Sequence, residues 1–314
     1  MKPEMTKTRI LISGATGFIG RQLAVRLLAA GYHISALYRN DRSERPQAIS
    51  WIRTGDLATT PIDPAIGQGI DVFINLAATV RPTSGEPSGS QSQTAAIARN
   101  VSRFVSDARI PRVLILSSVA ASLAKRDPTH ARHYGVEKLA ADRIFLERPG
   151  DGHRVVVLRP PAVYGKGMQN SMTTLAGMVR KGLPIPLGCA AEPRHYISVH
   201  NLCDLIGTIV GSDDGRWAAA AGHVFEPSDG QAVATRDLIR MMGDAMGHRA
   251  RLLPVPLGLL RALGAVTGRA ELISGAIDRL DLAPVEELET AFGWRPVERM
   301  PESLAFLRDE VSSS

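Results

Sequence analysis

Ile10-Leu11-Ile12-Ser13-Gly14-Ala15-Thr16-Gly17-Phe18-Ile19-Gly20 runs from a short apolar segment into three glycines spaced Gly-x-x-Gly-x-x-Gly, and residues 21–30 continue it as an amphipathic segment. A strand, a glycine-rich turn and a helix in that order turn a loose glycine pattern into the signature of a dinucleotide site. Gly14 permits a tight turn, Gly17 lets the backbone approach a pyrophosphate, and Gly20 lets the helix pack closely on its strand. The phosphates then face unpaired N–H groups at the positive end of the helix.

Outward from that stretch, strand-like runs at residues 33–38, 49–53, 71–76, 112–117 and 154–158 alternate with helix-length patterns at 94–108 and 134–146. The alternation predicts a doubly wound parallel α/β sheet of Rossmann type with right-handed crossovers. The mostly continuous apolar strands suit a sheet covered on both faces. Residues 81–93, rich in Ser, Gly and Pro, read as a loop. After Pro160 the alternation weakens and proline-rich pieces such as Leu183-Pro184-Ile185-Pro186 appear. We therefore expect residues 1–164 to form a dinucleotide-binding domain and 165–314 to form mainly a smaller substrate-binding domain. About 196–212 would return to the first.

Composition narrows the function. The chain of 314 residues is 44% hydrophobic and 22% charged, the balance of a soluble globular protein. No run approaches the ~20 apolar residues of a membrane span, so no membrane partner is expected. The first apolar run is too short for a signal peptide. Cys189 and Cys203 offer neither a disulfide framework nor a metal-ligand spacing, which fits a reducing cytoplasm. The net charge of +6 is scattered and few aromatics accompany it, so nucleic acid is not the expected partner. An anionic dinucleotide and a nucleoside diphosphate account for it better.

Tyr134 and Lys138 stand four apart on a predicted helix and so share one face. A phenol with a pKa near ~10 is a poor acid or base at neutrality. A neighbouring ammonium and an oxidised nicotinamide both favour its ionised form. Such a tyrosine can exchange a proton with a carbinol or carbonyl oxygen while hydride moves. Ser117-Ser118 ends the strand-like run 112–117, at the carboxyl edge where open sheets place ligands.

Together these features resemble the extended branch of the short-chain dehydrogenase/reductase superfamily, the NAD-dependent epimerases and dehydratases. The resemblance implies that Ser118, Tyr134 and Lys138 are catalytic, with Ser118 also touching substrate. It implies that Gly14, Thr16, Gly17, Phe18 and Ile19 line the cofactor, as do Asp56 and Leu57 after the third strand. Leu76, Ala77 and Ala78 after the fourth, Pro161, and again Tyr134 and Lys138 complete that set. Asn170 and Arg194 match residues that grip a sugar-nucleotide diphosphate. Phe292-Gly293-Trp294-Arg295-Pro296 is similar to a terminal family motif that serves packing. Residues 182–188 and 251–256, with Arg279-Leu280, look like bacterial UDP-sugar 4-epimerases and 4-ketoreductases of surface-polysaccharide synthesis. Three departures stand out: no asparagine near Thr94, a short stretch between Ser118 and Tyr134, and His195 after Arg194 where many members carry aspartate.

The end of the second strand is where NAD enzymes place an acid. Here it carries Tyr38 and Arg39, with Arg42 close by, so NADP is the expected cofactor, while Asp41 keeps NAD open. The expected activity is reduction of a 4-keto UDP-sugar, with UDP-hexose 4-epimerisation as the alternative. A non-catalytic dinucleotide-binding subunit or redox sensor is the rival from another class, and a homodimer is the assembly to test.

Overall fold

The computed structural model describes residues 8–40, 45–77, 93–147, 152–168 and 170–308. Asp41, Arg42 and Ala78 lie outside them. Of the expected loop 81–93, only Gln93 is described, and it opens a helix. The chain divides into two compact units. The first comprises Met1–Pro160, Cys203–Glu226 and Glu286–Trp294; the second comprises Pro161–Leu202, Pro227–Val285 and Arg295–Ser314.

The first unit opens with β1 (Arg9–Ser13), α1 (Phe18–Ala29), β2 (His33–Tyr38), β3 (Ser50–Arg53), β4 (Val72–Asn75) and α2 (Gln93–Asp107). It continues with β5 (Arg112–Leu116), α3 (Val119–Arg126), α4 (His133–Leu146) and β6 (Arg154–Leu158). The second unit contributes β7 (Ala162–Tyr164), α5 (Ser171–Arg180), β8 (Pro184–Ile185) and β9 (Pro193–Ser198). The chain crosses between units within α6 (Val199–Val210). α7 (Asp214–Ala220) and β10 (Val224–Phe225) then belong to the first unit. The second unit holds β11 (Ala232–Ala234), α8 (Thr235–Met246), β12 (Arg251–Leu252), α9 (Leu257–Val266) and α10 (Ala270–Ile277). α11 (Glu286–Phe292) returns to the first.

The sheet of the first unit has seven strands in the order β10-β6-β5-β4-β1-β2-β3, all parallel. The expected parallel α/β fold is therefore present. Pleating sends alternate residues to opposite faces. Leu11, Phe73, Val113, Ile115 and Val157 share a core cluster with Val101, Phe104 and Val105 of α2 and Phe145 of α4. Beside α1 runs the later part of α6, tied to it by an Arg26–Asp204 ion pair and, through Asp204, to the indole N–H of Trp294 at 2.8 Å. That bond gives the buried Trp294 of the terminal motif a packing role. Strand order reverses between β1 and β4, the switch point where open α/β sheets leave a crevice at the carboxyl ends of their strands.

α3 occupies most of the short stretch between Ser118 and Tyr134, a helix that the sequence reading did not list. A Cβ on Gly135 would collide with the Ala120 carbonyl, so only glycine lets α4 lie this close to α3. In the second unit β11, β9 and β7 make a small sheet, and β12 pairs with β8.

Candidate active site

At the switch point of the first unit lies a cavity of about 440 Å³ lined by Gly14, Thr16, Gly17, Arg39, Asp56 and Leu76, among others. Its floor is built locally. Ser13 Oγ donates to Asn75 Oδ1 at 2.6 Å, which ties the ends of β1 and β4 and brings the Leu76-Ala77 turn against Gly14. Gly14 has φ +76°, and a Cβ there would stand 2.9 Å from the Ala77 nitrogen. No side chain caps α1 at Gly17, so its first-turn N–H groups are left to a ligand. A backbone cradle that any side chain would fill, backed by an uncapped helix start, fits a dinucleotide pyrophosphate.

Sequence reasoning put Gly14, Thr16, Gly17, Arg39, Asp56, Leu57, Leu76 and Ala77 here, and all line the cavity. Phe18 and Ile19 sit in the first turn of α1 and are not among its lining residues. Pro161 begins the second unit. Leu37, Thr54, Gly55, Gln93 and Ile97 line the cavity without having been anticipated. Asn100 holds the Asp56-Leu57 segment by donating to the Leu57 and Thr60 carbonyls at 3.0 and 2.5 Å. Thr94, where an asparagine was missed, is buried in the first turn of α2.

Where the acid of NAD enzymes would stand, Tyr38 lies under the Arg45 guanidinium, 3.5 Å from its ring centroid, with Trp51 edge-on. The next residue, Arg39, pairs with Asp56 at 3.2 Å and is well exposed. Asp56 also accepts from the Ala58 N–H at 2.9 Å.

The chemical residues gather at the ends of β5 and β6 in the same unit. Ser118 caps α3 by accepting the Ala120 N–H at 3.3 Å and also hydrogen-bonds the Tyr134 phenol. Its capping and its contact with the tyrosine therefore coexist. Burial pushes the Tyr134 phenol up, opposed by that Ser118 hydrogen bond. The expectation of a phenol lowered by Lys138 is thus reversed in the protein alone, because lost hydration outweighs the Ser118 hydrogen bond and the Asp142 and Glu137 carboxylates add to the rise. Lys138 is buried, and burial pushes its ammonium below the ordinary lysine value while Asp142 pulls it back up.

Tyr134, Lys138 and Asp142 follow at four-residue steps along one face of α4. Asp142 accepts from Ser117 Oγ and Arg159 Nε, each at 2.8 Å, and Arg159 reaches Ser122 at 3.1 Å. This buried pair clamps β5, α3, α4 and β6 around the serine and tyrosine. Sequence reading missed it, since Asp142 and Arg159 meet only when β5 and β6 are neighbours.

In the second unit, Asn170 caps α5: its Oδ1 accepts the Met172 N–H at 2.9 Å and its Nδ2 donates to the Val163 carbonyl at 2.8 Å. Arg194 lies on β9 and donates to the Asp278 carbonyl. Next to it, His195 is half-buried, which lowers its pKa.

Residues 10–216 match the family described as "NAD dependent epimerase/dehydratase family". The chain belongs to this family. It is 26% identical over 311 residues to "UDP-glucose 4-epimerase" of Vibrio cholerae, covering 93% of this chain and 92% of that protein. It is 29% identical over 164 residues to "Ceramide reductase" of Caulobacter vibrioides (strain NA1000 / CB15N), covering 50% of this chain and 47% of that one. Among solved structures, "MoeE5 in complex with UDP-glucose and NAD" superposes with TM-score 0.73 at 23% identity, over 98% of this chain and 100% of the other. That likeness extends the fold over both units.

Proposed function

We propose that the protein is a dinucleotide-dependent oxidoreductase acting at C4 of a UDP-linked sugar, reducing a 4-keto group. The observation that carries the chemistry is the Ser118–Tyr134 contact on the helix face that buries Lys138 one turn further on. Tyr134 is the proton donor to the forming alkoxide, Ser118 orients the carbonyl oxygen, and Lys138 holds the cofactor ribose. The dinucleotide supplies the hydride chemistry; the protein supplies position and electrostatics. Gly14, Thr16, Gly17, Phe18, Ile19, Leu76 and Ala77 seat its phosphates and turn, and Asp56 and Leu57 its adenine. Tyr38 in place of an acid, with Arg39 at the cavity, supports NADP.

The substrate class rests on the likeness to the UDP-glucose 4-epimerase across nearly the whole chain. That relative also supports a second reading, 4-epimerisation, in which the same residues would take the C4 hydroxyl proton while an oxidised dinucleotide would supply hydride acceptance and return, and the keto-sugar would turn over within the site. Net consumption of reduced cofactor separates the two. In the second unit, Arg194 is the residue for the diphosphate, because a planar guanidinium pairs with it at two points. Calorimetry with UDP is the test. Arg194→Ala is expected to bind UDP at least ~tenfold more weakly, about 1.4 kcal/mol, with cofactor affinity unchanged. Unchanged UDP affinity in the variant, or no UDP binding by the parent, would redirect the search toward lipophilic carbonyl substrates such as the ceramide reductase likeness suggests.

A further inference from the structure

Leu253, Leu259, Leu263, Val266 and Leu272 are large apolar side chains left well exposed within one short stretch of the second unit. Leu259, Leu263 and Val266 follow at i, i+4 and i+7 and form one stripe along α9, with Val266 87% exposed. Leu260 and Gly264, on another side of the helix, are buried. Arg261 is the only charged residue on α9. The helix thus uses one apolar side for packing and presents a second to solvent. Single exposed leucines are ordinary; a continuous stripe marks a contact surface.

The charge around the stripe says what it contacts. Residues 245–270 hold Arg249, Arg251, Arg261, Arg269 and His248 and no carboxylate. Arg261 pairs with Asp278 at 2.9 Å, and Glu271 follows on α10. Arg249 and Arg251 precede the stripe in the chain and Arg269 follows it, and all three are exposed. A second copy of the chain is a poor occupant. Five such side chains expose on the order of several hundred Å², short of the roughly 800 Å² per partner of a stable dimer. A two-fold contact would also set two copies of this arginine-rich segment, of like charge, in one interface.

We propose that α9 and the turn into α10 dock the protein on an anionic bilayer surface. The leucine and valine stripe enters the headgroup region while the arginines flanking it in the chain meet lipid phosphates. No helix among the described residues is long and apolar enough to cross a membrane, so the segment lies on the surface. The sequence reading expected no membrane partner because it looked for a span, and surface docking needs none.

The test is co-sedimentation of the full chain with vesicles of phosphatidylcholine plus phosphatidylglycerol and of phosphatidylcholine alone, at low and high salt. Expected is binding to the anionic vesicles that weakens with salt and with removal of phosphatidylglycerol. Leu259→Glu/Leu263→Glu/Val266→Glu should reduce it at least ~tenfold without shifting the melting temperature. Arg249→Glu/Arg251→Glu/Arg269→Glu, at three exposed positions, should remove the salt-sensitive part. The proposal is overturned by absence of sedimentation with anionic vesicles, or by equal binding of either variant. A parent that elutes as a dimer while the leucine–valine variant elutes as a monomer overturns it too, by showing a second copy on this face.

Discussion

Two influences act on Tyr134 in opposite ways: burial, reinforced by the Asp142 and Glu137 carboxylates, holds its proton, and Ser118 supports its ionised form. Burial wins, so the phenol stays protonated through neutrality and is poised to donate. Tyr134→Phe should cost roughly 10²–10⁴-fold in turnover with cofactor affinity nearly unchanged, since only the proposed proton donor is deleted. Stopped-flow reduction and cofactor titration check the two halves separately. The pH profile follows from the same burial. Rate over KM in the reducing direction should stay level through neutrality and first bend on the alkaline side. That bend comes where Lys138, pushed below its usual value, loses its charge as pH rises. A bend near neutrality would assign the proton to another group. Cofactor choice belongs to the residue scale as well. Arg39→Ala should weaken NADPH far more than NADH, by about 1.5–3 kcal/mol for a lost charge-assisted bond. Equal weakening of both in titration would give the choice to Asp41 or Tyr38.

Two helices and two strand ends position Ser118 and Tyr134 at the scale of elements. Ser118 starts α3, Tyr134 lies in the first turn of α4, and the two meet because Gly135 admits the Ala120 carbonyl. Gly135→Ala should force α3 and α4 apart, costing roughly 1–3 kcal/mol of stability as overpacking does. It should also lower turnover beyond what the stability loss explains, because it widens the Ser118–Tyr134 contact. Chemical denaturation and turnover measured well below the melting transition separate these effects. The Asp142–Arg159 pair works alongside this contact. Removing one partner would leave a buried charge uncompensated, so the pair keeps the strand ends in register with α4.

At the scale of the whole molecule, the second unit has its own polar centre. Asp229 accepts from the Tyr164 phenol at 2.6 Å, from Asn201 at 2.7 Å and from the Ser198 N–H at 3.0 Å. Asn201 in turn binds the Glu298 carbonyl, so segments far apart in sequence converge on one carboxyl group. Burial pushes Asp229 up and these donors pull it down. A raised carboxyl in the fold contributes stability that is present at low pH and lost as pH rises through its folded value. Tyr164→Phe removes a donor that favours the ionised form. Its deficit, about 1–3 kcal/mol, should therefore grow as pH rises through the titration of Asp229. Urea melts across the acidic range check this; a deficit that shrinks with rising pH would mean that the hydroxyl serves the neutral carboxyl instead.

The sequence alone carried whatever depends on neighbours within about one helical turn. The β1–turn–α1 unit, the run of parallel strands and the shared face of Tyr134 and Lys138 could be read from periodicity and glycine spacing, whereas most of the cavity lining came from the family resemblance. Boundaries moved by a residue or a few: the helix expected at 21–30 begins at Phe18, and the one expected at 94–108 begins at Gln93. α3 was missed because its eight residues, Val119–Arg126, follow a capping serine that also reads as a loop residue. Pairings between distant segments were not legible at all. Which arginine neutralises Asp142, that Asn170 caps α5 and that Arg194 binds the Asp278 carbonyl all depend on which strands become neighbours. Buried polar groups must find partners on whatever the fold brings beside them, and no local pattern encodes that choice. For the same reason only the tertiary structure separates the leucines of α9 that are packed from those that are left bare.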